Sequence, residues 1–392
     1  MTILTALDLS HNRLSGELPH CMRNFNSLQL LNLGSNNLHG SIPWTFGINS
    51  VLTALVLNEN QLEGRLPRSL VNCTQLKFLD LGKNKLNDTF PDWLGALPGL
   101  LILILHSNNF HGRLRTSQEE QQPFPKLQIL DLSDNSFEGI FPSRLLKGFK
   151  AMMEDDENDD AMQYIGEYVD YSIESHGAKE IIGSETSIQY SIALTFKSID
   201  REINGISNTL VAIDLSSNRF RGAIPNSIGE LVLVRYLNLS HNNFTGSIPP
   251  SLENLNVIES LDLSSNQLTG QIPRELVNLH FLEIFSVANN KLDGAIPHGE
   301  QFDSFDNSSY LGNIELCGAP LSKKCGEDGS PPPQSPLAEN DPPSTNLDEW
   351  KIILMGYGCG LIISLVAGYY TFLARTPLWL LKLMRQIKLV MA

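Results

Sequence analysis

Residues 4–19 read LTALDLSHNRLSGELP, and the pattern returns as LQLLNLGSNNLHGSIP at 28–43, LTALVLNENQLEGRLP at 52–67 and LKFLDLGKNKLNDTFP at 76–91. Its asparagines Asn12, Asn36, Asn60, Asn84 and Asn108 stand 24 residues apart. Asn135 follows at 27, because 116–126 hold a small insertion. After a long gap Asn218, Asn242, Asn266 and Asn290 resume the spacing of 24, which makes ten copies of LxxLxLxxNxLxGxIP. Self-similarity of this kind defines a repeat architecture. In LxxLxL a short extended segment points its leucines to one side, and neighbouring copies pair as parallel strands about 4.8 Å apart. Ten copies then form a ladder on the order of 50 Å long. The Asn sits where the chain leaves the strand, and its amide suits the backbone groups of successive turns. The Gly and Pro of GxIP suit a tight return across the opposite face. No copy buries its leucines alone, so stability comes from stacking.

These residues resemble the plant-specific class of leucine-rich repeats, with six copies over 1–147 and four over 208–298. The resemblance implies an α/β-type leucine-rich-repeat solenoid. Its concave face carries a parallel β ladder and its convex face is irregular or 3-10.

Composition narrows the function. The chain has 392 residues, 43 Asp+Glu against 28 Lys+Arg, and a net charge of −15. Phosphate binding needs a dense Lys/Arg surface, so nucleic acid is not a partner. Residues 351–392 hold five Lys/Arg and no acid, leaving 23 Lys/Arg against 43 Asp/Glu in the first 350. The charge is therefore about −20 before the C-terminal segment and +5 within it, a polarised arrangement.

Between 148 and 207 the repeat vanishes. The acidic run 154–160 lacks the Gly and Glu positions of an EF-hand loop and reads as a solvated loop. Tyr190, Ile192, Leu194 and Phe196 alternate with small or polar residues and predict one half-buried strand leading back to the solenoid. The FKAM at 149–152 and the Tyr-rich strand ending at Lys197 resemble the island domain of plant receptor-like proteins. The resemblance departs at Ser198, where the family commonly has Gly.

An open solenoid end exposes leucines and strand edges, so a cap is expected at 299–326. There Cys317 and Cys325 are read as a disulfide, which implies an oxidising compartment. Cys21 and Cys73 lie two repeats apart, at least about 10 Å by strand spacing, and are expected to be separate buried thiols. Five sequons fit secretion and glycosylation: Asn72, Asn87, Asn238, Asn243 and Asn307. About three are expected to be occupied, because a repeat rich in Asn and Ser generates sequons by itself. The chain begins inside a strand with no signal peptide or capping module, which is the expectation for a truncated piece of a longer receptor.

An acidic, Pro-rich stretch fills 327–350, and 352–374 is free of charge over 23 residues. That length crosses a bilayer, so 351–374 is expected to be a single transmembrane helix. The tail 375–392 carries Arg375, Lys382, Arg385 and Lys388 and no acid. Positive charge marks the cytoplasmic side, giving a single-pass type I plasma-membrane protein with extracellular repeats. Gly356, Gly360, Ser364 and Gly368 recur every four residues, the small-residue spacing that lets two helix backbones approach.

There is no HExxH, GxSxG or Walker loop, and His11, His106 and His241 occupy turn positions of different repeats rather than converging. Neither an enzyme nor a cofactor is expected. Ligands are expected on the concave face, where Phe78, Ile102, Ile104 and Ile129 form an apolar patch among polar columns; the competing reading is a local packing feature or cover by the insertion.

Repeats, island, repeats, cap, membrane segment and short basic tail together resemble plant receptor-like proteins, cell-surface receptors without a kinase. The resemblance implies recognition of an extracellular peptide, protein or microbial pattern in immunity or development. It implies an adaptor receptor-like kinase held through Gly356, Gly360, Ser364 and Gly368, with Glu327, Asp328, Glu339, Asp341, Asp348 and Glu349 outside the membrane. It also implies a co-receptor kinase of the somatic-embryogenesis type at repeats 208–298 and the cap. The alternatives are an extracellular inhibitor or decoy for a secreted microbial enzyme, resembling polygalacturonase-inhibiting repeat proteins, and a nonfunctional truncated paralogue.

Overall fold

The computed structural model describes residues 4–20, 27–43, 47, 50–115, 123–154, 164–171, 184–189, 191–196, 199–204, 206–207, 209–299 and 301–326, those from 164 to 204 by backbone only. The chain divides into two units, 1–327 and 328–392. Every described residue belongs to the first, so the expected membrane segment, its glycine row and the basic tail lie outside them. Among the described residues no helix is long and apolar enough to cross a membrane.

Ten three-residue strands form one parallel sheet in chain order: Ala6–Asp8, Leu30–Asn32, Ala54–Val56, Phe78–Asp80, Ile102–Ile104, Ile129–Asp131, Ala212–Asp214, Tyr236–Asn238, Ser260–Asp262 and Ile284–Ser286. Side chains alternate across a strand, so the middle residue of each points into the solenoid. Leu31, Leu55, Leu79, Leu103, Leu130, Ile213, Leu237, Leu261 and Phe285 stack there in one buried column.

The repeat asparagines tie successive turns. Asn266 Nδ2 donates to the carbonyls of Leu263 and Ser264 in its own repeat and Leu239 in the one before, at 3.2, 3.1 and 2.9 Å. Its Oδ1 accepts the Phe244 N–H at 3.0 Å. One buried amide thus bonds four backbone groups, and its three acceptor carbonyls are shared with donors of neighbouring repeats. The same bonds span the insertion: Asn218 Nδ2 reaches the Leu132 carbonyl, 86 residues away, and Asn218 Oδ1 accepts the Phe137 N–H. Repeats six and seven therefore stack as directly as any other pair.

A second ladder runs along the side of the solenoid. Its glycines hold φ between 77° and 103°, a left-handed region that disfavours other residues. The fourth repeat reads LNDTFP, with Asp88 in the glycine position. Asp88 does not take positive φ, and the ladder divides there into four strands before and seven after. On the convex face, the Pro of GxIP caps short 3-10 turns such as Arg68–Asn72, Asn226–Glu230 and Arg274–Asn278.

Two regions hold more structure than the repeat pattern announces. Among the described residues of 148–207 there are three antiparallel pairings, so the expected strand, seen at Ser191–Phe196, is one of several: Tyr164–Tyr171 pairs with Ser184–Gln189 and with Ile206–Ser207, and Ser191–Phe196 pairs with Ile199–Asn204. The cap is a degenerate eleventh repeat. Asn313 Oδ1 accepts the Leu292 N–H and its Nδ2 donates to Val287, as a repeat asparagine does. Val287 and Asn289 donate to the Ser309 and Leu311 carbonyls, and Glu315–Cys317 extends the second ladder. Cys317 and Cys325 are bonded, their Cα atoms 5.1 Å apart. Cys73 is a free buried thiol, held above the usual thiol range by desolvation, while Cys21 lies outside the described residues.

One feature the repeat pattern hides is an aromatic column. Where other copies place Leu, repeats five to eight place Phe110, Phe137, Phe220 and Phe244, stacked at 6.0, 6.4 and 6.0 Å between centroids. The stack crosses the insertion point and welds the two repeat blocks.

Candidate ligand-binding face

The first and third residues of each ladder strand face the concave side. Register pairing sets Phe78 beside Ile102, Ile102 beside Ile129 and Ile104 beside Asp131. The expected patch is therefore assembled, but it is not open. Phe78, Ile102, Ile104 and Ile129 are each at most 1% exposed. They form a second core with Leu30, Ala54, Ala212, Ile206 and Leu210. Ile206 and Leu210 lie where the chain re-enters the solenoid after the insertion, and they pack onto the strip. Apolar surface this large is stabilised by removal from water, at roughly 25 cal/mol per Å². Of the two readings of this strip, a ligand surface or a face covered from the insertion, the structure shows the covered one.

Beyond the junction the same columns turn polar. Arg235 Nη1 meets Glu259 Oε1 at 2.6 Å, and the Tyr236 hydroxyl donates to Glu259 Oε2 at 2.5 Å. Arg235 Nε also donates to the Thr209 carbonyl at 3.0 Å. Burial, and then the Glu259 carboxylate, push the Tyr236 phenol above its ordinary range, so it remains a donor. Reading the column Arg235, Glu259 as neighbours 24 residues apart could have found this cluster in the sequence.

Between the two halves lies a buried carboxyl pair. Asp131 and Asp214 are register partners on adjacent strands. Desolvation first, and Asp131 second, push Asp214 up to about 7 against hydrogen bonds from Ser216 and Asn238. Desolvation likewise raises Asp80 to about 6 against the Gly82 N–H. Among the described residues no cluster of three or more His, Cys, Asp or Glu could hold a metal.

The sequon asparagines fall in different settings. Asn87, Asn243 and Asn307 are exposed and Asn72 is half-buried. Asn238 stands on a concave strand, its Nδ2 donating to Asp214 at 3.1 Å and its Oδ1 accepting from Ser240.

The class follows from this geometry: a leucine-rich-repeat solenoid with an interrupted ladder and a two-part concave face. The Leucine Rich Repeat family matches residues 4–25, 27–48, 75–97, 126–147, 209–231, 233–255 and 258–279. Over 257 residues the chain is 52% identical to Receptor-like protein 9DC3 of Solanum pimpinellifolium, covering 65% of this chain and 28% of that one. It is 49% identical over 248 residues to Receptor-like protein 7 of Arabidopsis thaliana, covering 63% and 24%. The chain is a leucine-rich-repeat protein homologous to plant receptor-like proteins, and it spans only about a quarter of the length of these curated relatives. Among solved structures, the plant peptide hormone receptor RGFR1 in complex with RGF2 superposes with a TM-score of 0.57 at 24% identity, over 80% of this chain and 44% of that one. A plant ice-binding protein gives the same 0.57 at 24% identity, over 82% and 84%. Two unrelated functions on one superposition show that the fold alone does not choose between them.

Proposed function

We propose that this chain is part of a cell-surface receptor-like protein that recognises an extracellular peptide or protein and signals through partner receptor kinases in plant immunity or development. The observation that carries the reading is the 52% identity to a receptor-like protein over 257 residues. The charge-free stretch 352–374 and its basic flank support a single-pass type I anchor in the plasma membrane. The ligand meets the concave face beyond the covered strip, where the Arg235–Tyr236–Glu259 group supplies polar contacts, while Phe78, Ile102, Ile104 and Ile129 lie sealed beneath Ile206 and Leu210. Gly356, Gly360, Ser364 and Gly368 pack an adaptor receptor-like kinase. The last four repeats and the cap receive a somatic-embryogenesis-type co-receptor kinase. Exposed Asn87, Asn243 and Asn307 are the better glycan acceptors, while Asn238 has its amide engaged.

The test is co-purification of kinases with the tagged full chain from plant cells. Gly356→Leu together with Gly360→Leu is expected to lower kinase recovery at least tenfold, with repeat folding unchanged by circular dichroism. Undiminished recovery would remove the helix-packing part of the proposal.

A further inference from the structure

The side ladder carries a basic notch that the receptor reading does not use. At its centre two glycines with φ of 89° and 83°, Gly139 and Gly222, leave room for side chains of the preceding repeat. A Cβ on Gly139 would come within 2.9 Å of Arg113 Cγ, and one on Gly222 within 3.1 Å of Ile140 Cγ1. The Arg113 stem therefore lies across Gly139, and Ile140 lies across Gly222. With Arg115 and Arg221 they enclose an open notch of about 520 Å³.

Three properties set this notch apart. Ile140 is 67% exposed, a large apolar side chain held up to solvent beside the junction of repeats six and seven. Arg113, Arg115 and Arg221 are all exposed, and among the described residues none forms a salt bridge or a side-chain hydrogen bond. The carboxylate on the intervening strand, Glu138, is in register with Arg113 on one side and Arg219 on the other, yet it pairs with neither. Arginines without a salt bridge are common among the described residues; here three of them line one notch around an exposed apolar side chain, in a stretch of 350 residues where acids outnumber bases 43 to 23.

The chemistry of the notch identifies its occupant. Guanidinium groups at the rim recognise carboxylates, often in bidentate fashion. The Ile140 side chain and the arginine stems form an apolar floor, which gains from contact with an aliphatic group rather than a sugar ring. We propose that this notch docks an acidic segment of a protein partner, which places an aliphatic side chain on Ile140 between carboxylates that reach Arg113, Arg115 and Arg221. The surface is separate from the concave face, so it stands whether or not a ligand binds there.

The test uses the immobilised full chain and a blocked hexapeptide of alternating Glu and Leu, with biolayer interferometry as the readout. The peptide is expected to bind, and rising salt is expected to weaken it. Arg113→Glu and Arg221→Glu should each weaken binding at least tenfold, and Ile140→Ser severalfold, with unchanged thermal unfolding because all three side chains are exposed. Arg65→Glu, beside the side ladder before its break at Asp88, should leave binding unchanged. The proposal is overturned if the peptide does not bind, or if the Arg65 variant loses as much as the notch variants. It is equally overturned if a Glu–Ser hexapeptide or hexagalacturonate binds as tightly as the Glu–Leu peptide, since that would make the notch a general anion surface.

Discussion

The two halves of the concave face stand on identical ladders and differ only in what their outward residues are. Around repeats four to six the column reads Phe78, Ile102, Ile129 and is sealed into a second core. In repeats eight to ten it reads Tyr236, Ser260, Ile284, with Arg235 and Glu259 paired beside it. The scaffold is indifferent to this change because the inward leucines and the asparagine bonds do not involve the outward positions. A leucine-rich solenoid can therefore vary its concave chemistry without altering its framework.

The sharpest way to break the comparison is to place one charge in each half of the same column. Ile102→Asp puts an uncompensated carboxylate into a fully buried site and should cost roughly 3–5 kcal/mol. Ile284→Asp, at a half-buried position, should cost only about 1 kcal/mol. Denaturant unfolding of the two variants measures the difference, and equal losses would mean that the apolar half is not a second core.

The boundary between the halves should respond to pH. Asp214 and Asp80 have folded-state values raised to about 7 and about 6 above an ordinary 3.8. The folded chain thus holds protons that the unfolded chain has released, so stability falls as pH rises. This contribution is complete below pH 3.8 and is lost as pH climbs through 6 and 7. We expect a decline of roughly 1–3 kcal/mol across that window, much reduced in Asp214→Asn. Thermal unfolding from pH 4.5 to 8 checks it, and a flat profile for the wild-type chain would contradict the buried ionisation.

The smallest effect belongs to the polar half. Tyr236→Phe removes one donor to Glu259 while leaving the Arg235 contact, and should cost about 1 kcal/mol or less. A larger loss would indicate that this cluster, too, behaves as interior.

The framework was legible because its physics is local and repeated. The 24-residue spacing placed all ten ladder strands, and the role of the asparagines followed from their position at the strand exit. Other features were hidden by departures from the pattern. Asp88 in a glycine position breaks the side ladder, but only the requirement for positive φ makes that visible. Asn313 continues the asparagine row without the leucine spacing that announces a repeat. In the insertion, the strand at 191–196 alternated clearly, while its partner Ile199–Asn204 carries Asp200, Arg201 and Glu202 and does not read as strand. For the concave strip, periodicity told which way Phe78 and Ile102 point and nothing of what lies over them. Burial of that kind depends on contacts distant in sequence, here from Ile206 and Leu210.

The bond from Asn218 back to Leu132, 86 residues away, also bears on the order of folding. Every other repeat pair closes a loop of about one repeat, so each block can grow by adding neighbours. Joining the blocks requires one much longer closure, whose extra entropic cost over an ordinary repeat is only about 1 kcal/mol because it grows logarithmically with length. The phenylalanine stack lies where that closure is completed. Most of the cost of carrying a sixty-residue insertion therefore falls on the rate at which the two blocks meet, and little of it on the stability of the joined solenoid.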